Sequence, residues 1–154
     1  MKELNRRLFL KSSLAAGAVT GTGLLLPKAV LAKWPANAFH SSTPDEALEK
    51  LLGNAHPVES GAIKIKAPDI AENGAVVPVS VTSGISGTES ISILSTGNPT
   101  PLLFSAKLGP GAKGFVSTRI KMAKTGKVVA VVKANGKVYQ ASKAVKVTIG
   151  GCGG

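Results

Sequence analysis

The sequence predicts an all-β fold, an immunoglobulin-like antiparallel β-sandwich with one short N-terminal helix and a flexible C-terminal arm. Three observations carry that expectation. From Ile63 onward apolar and polar residues alternate at period two, as in Ile63-Lys64-Ile65-Lys66 and Val77-Pro78-Val79-Ser80-Val81-Thr82, the pattern of strands with one buried face. Turn-forming clusters separate the runs: Glu72-Asn73-Gly74, Ser83-Gly84, Gly97-Asn98-Pro99, Gly109-Pro110-Gly111, Lys124-Thr125-Gly126 and Asn135-Gly136. The 154 residues hold only four Phe, one Trp and one Tyr among many Val, Ile and Ala, so one domain with a core of small, β-branched side chains is expected.

Residues 1–32 read as a leader. Asn5-Arg6-Arg7-Leu8-Phe9-Leu10-Lys11 precedes an apolar stretch from Leu14 to Leu26, and Ala29-Val30-Leu31-Ala32 follows it. Paired arginines before Leu-Phe-Leu and a lysine have the form of a twin-arginine export signal. Val30 and Ala32 place small residues ahead of a cut, giving a mature start at Lys33. An uncleaved anchor fits less well, because Gly17, Gly21 and Gly23 interrupt a run too short to span a bilayer comfortably. The expectation is a periplasmic protein with no stable membrane insertion after cleavage. Twin-arginine export serves chains that fold first, with a cofactor or a passenger subunit. No cofactor-binding residues are visible, so a tightly bound partner subunit is expected.

The mature domain, residues 33–149, opens with an irregular lead-in from Trp34 to Ser42. Thr43-Pro44-Asp45-Glu46 then supplies an N-cap, a proline at the first helical position and a glutamate at the third, the capping-box arrangement. Ala47, Leu48, Leu51 and Leu52 form a stripe at helical spacing, and Gly53 ends the helix. A helix this short is unstable alone, so its leucines should pack on the domain or on a partner. Strands follow around Ile63, Val77 and Ile91, then over Leu102 to Leu108, Gly114 to Met122, Lys127 to Lys133 and Lys137 to Ile149, the last long enough to divide near Ser142. Asn135-Gly136 between two apolar runs is the strongest hairpin signal. Pro78 argues that its strand lies at a sheet edge, and that edge and the helix are candidate partner-facing surfaces.

The last strand runs directly into Gly150-Gly151-Cys152-Gly153-Gly154, which holds the one cysteine of the chain. Glycine lacks a Cβ and reaches backbone conformations closed to other residues, so Gly150, Gly151, Gly153 and Gly154 make a tether with little preferred shape. Extended, it carries the sulfur about 15 Å from the domain. A terminal cysteine between glycines has nothing to pack against, which leaves reactivity. In an oxidising compartment such a thiol stays free, forms a mixed disulfide or carries a substrate. An exported binding module using Cys152 only for an intermolecular disulfide is the alternative to a covalent carrier.

The formal charge of +11 falls to +7 without the leader, which holds five cations and one anion. All eight acidic residues lie at or before Glu89, and ten basic ones run from Lys107 to Lys146, so the arm grows from a basic half. Nucleic acid is disfavoured as a partner, since no binding motif accompanies the charge and few aromatics are present to stack bases. No enzyme constellation stands out. His40 and His56 lie far upstream of Cys152 and make a poor case for a catalytic dyad or a metal site. Arg119 reads as an outward strand residue, with an oxyanion or an acidic partner as its functional alternative. No cofactor is expected.

A C-terminal Gly-Gly-Cys-Gly-Gly on a small exported β domain resembles the SoxY family of the bacterial thiosulfate-oxidising (Sox) system. The resemblance extends into the domain through residues 70–78 (Ile-Ala-Glu-Asn-Gly-Ala-Val-Val-Pro), Ser117-Thr118-Arg119-Ile120 and Lys146-Val147-Thr148-Ile149. It implies a non-enzymatic carrier in which a haem-containing partner joins thiosulfate oxidatively to Cys152 as a cysteine S-thiosulfonate. A hydrolase would then release sulfate, a sulfur dehydrogenase, where present, would oxidise the remaining sulfane, and a second hydrolysis would free the thiol. It also implies a complex with SoxZ, a second small β-sandwich subunit.

Overall fold

The computed structural model describes residues 35–148; the leader, its expected cut and the Gly150–Gly154 arm lie outside them. Two helices, α1 (Ala36–Phe39) and α2 (Pro44–Leu52), precede nine strands: β1 (Val58–Glu59), β2 (Ile63–Lys66), β3 (Ile70–Ala71), β4 (Val77–Ser83), β5 (Thr88–Ser95), β6 (Leu102–Lys107), β7 (Phe115–Ile120), β8 (Gly126–Ala134) and β9 (Lys137–Val147). The larger sheet has the order β1-β9-β8-β5-β6 with β3 also on β9, and the smaller has the order β2-β4-β7. Their inner faces meet in one core, where Val77, Val79 and Val81 of the small sheet pack with Ile91, Ile93, Val128, Ala130, Val132 and Val145 of the large one. This is the expected sandwich.

The run Val128 to Val132 is apolar without alternation because both faces of β8 are covered. Val128, Ala130 and Val132 enter the sandwich core. Val131 joins Leu94, Leu102 and Val138 in a second cluster beneath Ala38 and Ala47, with Leu48, Leu51 and Leu52 packed against it. The stripe of α2 is thus spent on its own sheet. Its start follows the sequence closely: the Thr43 hydroxyl accepts from the Glu46 N–H at 3.2 Å. The Glu46 carboxylate reaches back to the Ser42 N–H at 2.9 Å, one residue earlier than a standard capping box.

Four expectations are corrected. The lead-in is not wholly irregular, since Ala36–Phe39 forms one helical turn, its Ala38 side chain buried on the sheet. The pairing is not purely antiparallel, because β1 and β3 run parallel to β9. Strand β9 does not divide at Ser142: β8 matches it in unbroken register from Gly126 opposite Val145 to Ala134 opposite Lys137. Strand β4 is central in its sheet rather than at an edge.

Pro78 is tolerated there for a reason the register shows. The Ser83 N–H donates to the Gly114 carbonyl at 2.6 Å, so odd-numbered residues of β4 bond to β7 and Pro78, opposite Arg119, falls at a non-bonded rung. Its nitrogen faces the β2 side, and β2 ends with Lys66 opposite Ser80, leaving no acceptor without its donor. The Asn135-Gly136 hairpin closes as expected, with positive φ of 51° and 72° at its two turn residues, the conformation that matches the strand twist.

Candidate functional site

The described part of the site is the end of β9, which precedes Gly150–Gly154 in the sequence. Three neighbours hold that end. On one side β3 runs alongside, so that the Lys146 N–H donates to the Asp69 carbonyl at 2.9 Å and the Thr148 N–H to the Ala71 carbonyl at 3.2 Å. On the other side the ladder with β8 stops at Gly126, and the Thr125 side chain supplies the next rung. Its hydroxyl accepts from the Val147 N–H at 2.9 Å and donates to the Val147 carbonyl at 3.3 Å.

The loop that carries Thr125 is itself fixed. Asn98 donates through Nδ2 to the Lys121 carbonyl at 2.6 Å and accepts through Oδ1 from the Ala123 N–H at 2.8 Å. Thr96 accepts from the Lys127 N–H at 2.9 Å. Gly97 and Gly126 let the two loops touch, for a Cβ on Gly97 would sit 2.7 Å from the Lys124 carbonyl oxygen and one on Gly126 would sit 2.7 Å from the Gly97 nitrogen. The strand is therefore held up to its last described residues, and Cys152 follows Thr148 by four positions.

The charges differ between the two ends of the sandwich. At the hairpin end, Glu89 accepts from the Gly136 N–H at 3.3 Å and pairs with Lys133 at 3.3 Å. The Gly136 amide first, and the lysine second, hold its carboxyl below the ordinary 4.5. On α2, the hydrogen bond from Lys50, at 2.6 Å, lowers Glu46 in the same way. At the arm's end the exposed Lys121, Lys124, Lys127 and Lys146 make no ion pair with any described residue. Asp69 there is engaged by Lys143 at 3.1 Å, and Glu72 is exposed and, among the described residues, without an ion pair.

Cys152, Gly150, Gly151, Gly153 and Gly154 lie outside the described residues, so no geometry is assigned to them. His40 is exposed at the end of α1, and His56 lines an open depression of about 320 Å³ with Asp45 and Glu49 beside α2. Arg119 is exposed on β7 and, with Pro78, Ser117 and Thr118, lines a second shallow depression of about 430 Å³. Among the described residues no three His, Cys, Asp or Glu side chains converge as a metal site, and no helix is long and apolar enough to cross a membrane. Thr125 and Asn98 are the residues that the sequence alone did not single out. Both appear there only as members of turns.

A family model described as sulfur oxidation protein SoxY matches residues 48–152. The chain belongs to the SoxY family. The match begins within α2, spans both sheets and ends on the cysteine itself. The solved structure of the sulfur carrier protein SoxY from Chlorobium limicola f thiosulfatophilum is 48% identical, covering 68% of this chain and 96% of that one with a TM-score of 0.63. A PKD domain of an M14-like peptidase from Thermoplasmatales archaeon SCGC AB-540-F20 aligns at 16% identity over 60% of this chain and 97% of that one, with a TM-score of 0.39. That likeness is too slight to bear on function. No curated protein matches the chain. Membership in the SoxY family accords with a β-sandwich whose last strand is anchored on both sides just before a terminal cysteine.

Proposed function

We propose that this protein is a periplasmic sulfur carrier that holds thiosulfate-derived groups covalently on Cys152 and presents them to separate Sox enzymes. The observation that carries the reading is the SoxY family match, which runs to residue 152; the Chlorobium relative, named a sulfur carrier protein, is 48% identical. The domain supports it as a rigid base. A reactive group passed between catalysts gains from being tethered, because each docked site then meets it at a high effective concentration.

In this reading thiosulfate joins Cys152 through a new S–S bond, with the thiol proton released and an electron pair passed to a haem-containing partner. A hydrolase then cleaves the terminal sulfone as sulfate. An ordinary thiol is only a few per cent thiolate near neutral pH, so activation falls to the enzyme that receives it. The twin-arginine leader and the tethering glycines, Gly150, Gly151, Gly153 and Gly154, are part of the proposal, as is a heterodimer or heterotetramer with a SoxZ-like subunit.

The test is Cys152→Ser in a reconstituted thiosulfate-oxidation assay, combined with intact mass spectrometry of the native chain from thiosulfate-grown cells. The variant should fold normally and support no turnover, and the native chain should carry sulfur or sulfonate adducts on its C-terminal peptide. Normal turnover by the serine variant, or a cysteine found only as a homodimer disulfide, overturns the reading.

A further inference from the structure

The open edge that Pro78 suggested lies one strand farther out, at β7. In the order β2-β4-β7 this strand is terminal, and no other described strand pairs with it. The rungs that bond β4 to β7 are those of Val77, Val79 and Val81, in step with the Ser83 N–H that donates to the Gly114 carbonyl at 2.6 Å. The backbone groups of Phe115, Ser117 and Arg119 therefore face the open side. The Phe115 N–H turns back onto the Lys113 carbonyl at 2.7 Å, while those of Ser117 and Arg119 have no backbone partner among the described residues. The other edge strands are blunted, as proteins commonly arrange against unwanted pairing. Strands β1 and β3 have two residues each and β2 has four, and the register of β6 slips between Ile93 and Leu94 so that Leu103 opposes nothing. Strand β7 keeps unbroken register over six residues and contains neither proline nor lysine.

Its outward side chains lie on the outer face of the small sheet, because Val77, Val79 and Val81 fill the inner one. Register sets Phe115 against Thr82, Ser117 against Ser80 and Arg119 against Pro78, with Lys64 and Lys66 beyond Thr82 and Ser80 on β2. The middle row is short, and the Ser80 and Ser117 hydroxyls satisfy each other at 2.9 Å. The shallow depression of about 430 Å³ beside Arg119 opens here. Strands β2, β4 and β7 together hold Lys64, Lys66 and Arg119 and no acidic residue, and Lys113 and Lys121 flank β7. All five cations are exposed, and none has an ion pair among the described residues.

We propose that β7 is a docking edge for an acidic strand of another protein, which extends the small sheet by backbone pairing at Ser117 and Arg119 and sets carboxylates against Arg119, Lys113 and Lys121. Six paired residues span about 20 Å. Backbone bonds of this kind give affinity with little choice of sequence, and the side chains beside them give the choice. Here every charged side chain on the face is a cation, so the complementary strand is acidic. A second copy of this chain is a poor occupant, for its β7 would bring the same arginine and flanking lysines against their like. The edge does not involve Cys152 and stands apart from the carrier reading.

The test follows backbone amide signals of the isotope-labelled chain, residues 33–154, by NMR. The probe is a blocked peptide of about ten residues alternating Glu and Val, titrated to about 1 mM. The Ser117 and Arg119 amides should shift while those of β6 stay in place. Arg119→Gln should weaken the response about fivefold, as should about 0.5 M salt. Ser117→Pro removes an edge-facing N–H without touching a bonded rung and should abolish the response, with the remaining signals of the sandwich in place. A Lys-Val peptide, and the Glu-Val peptide methylated at every backbone nitrogen, should give no shift at β7. Absence of shifts at Ser117 and Arg119, an equal response to either control peptide, or protection of β7 by self-association of the chain overturns the proposal. The carrier reading is tested by adducts on the C-terminal peptide, so either can fail alone.

Discussion

Single side chains decide how firmly the last strand is held. Thr125→Val keeps the shape of the side chain and removes the hydroxyl that serves both Val147 groups. The expected cost is about 1 kcal/mol, read as roughly fivefold faster hydrogen exchange at the Val147 amide with little change at Val131. Glu89 plays the matching part at the hairpin end. Its carboxyl is held below 4.5 by the Gly136 N–H and Lys133, so its contribution is complete above that value and fades as pH falls through the lowered one. The melting temperatures of wild type and Glu89→Gln should therefore differ at neutral pH and converge as the pH falls below 4.5 through the lowered value; a constant gap would refute the linkage. Neither role was legible in the sequence. Thr125 sits in a turn signal and Glu89 near the start of β5, but the groups they bind, Val147 and Gly136, lie 22 and 47 residues away, and only topology brings them together.

Elements are most legible in the sequence where their determinants are local. The limits of α2 follow from Thr43, Pro44 and Gly53, and the last hairpin from Asn135-Gly136, because capping and turn conformation involve only neighbours. Thr43→Ala should destabilise the domain by about 1 kcal/mol; since α2 covers Leu94, Leu102 and Val131, the loss should appear in global unfolding rather than as local fraying. Strands β1 and β3 were missed for the opposite reason. Each is two residues long, too short for a period to show, and each exists only because β9 offers a free edge. Pro78 misled for a related reason: proline excludes a bonded rung, but a central strand also has unbonded rungs wherever its neighbour stops short.

For the whole molecule, each end of the sandwich holds one ion pair among the described residues, Glu89 with Lys133 at the hairpin end and Asp69 with Lys143 at the other, beside lysines that have none. At the arm's end those are Lys121, Lys124, Lys127 and Lys146. The sequence showed basic residues gathered in the second half of the chain, yet half of a sequence is not half of a surface. Lys107 and Lys137 belong to that half and lie toward the hairpin end, through β6 and β9. Membership in the SoxY family was legible, because a cysteine among terminal glycines is a local pattern like a turn. The surroundings of its root were not, because they are assembled from β3, β8, β9 and the 96–98 loop.

The Thr125 lock has a consequence for reach. It marks the point from which the sulfur's radius is counted, and the space open to a tethered group grows as the cube of that radius. In the proposed carrier, each residue peeled from β9 would therefore dilute the cargo at every docking site, even though it brings more distant pockets within range. A threonine hydroxyl far from any reacting atom would then tune turnover by setting where the leash begins.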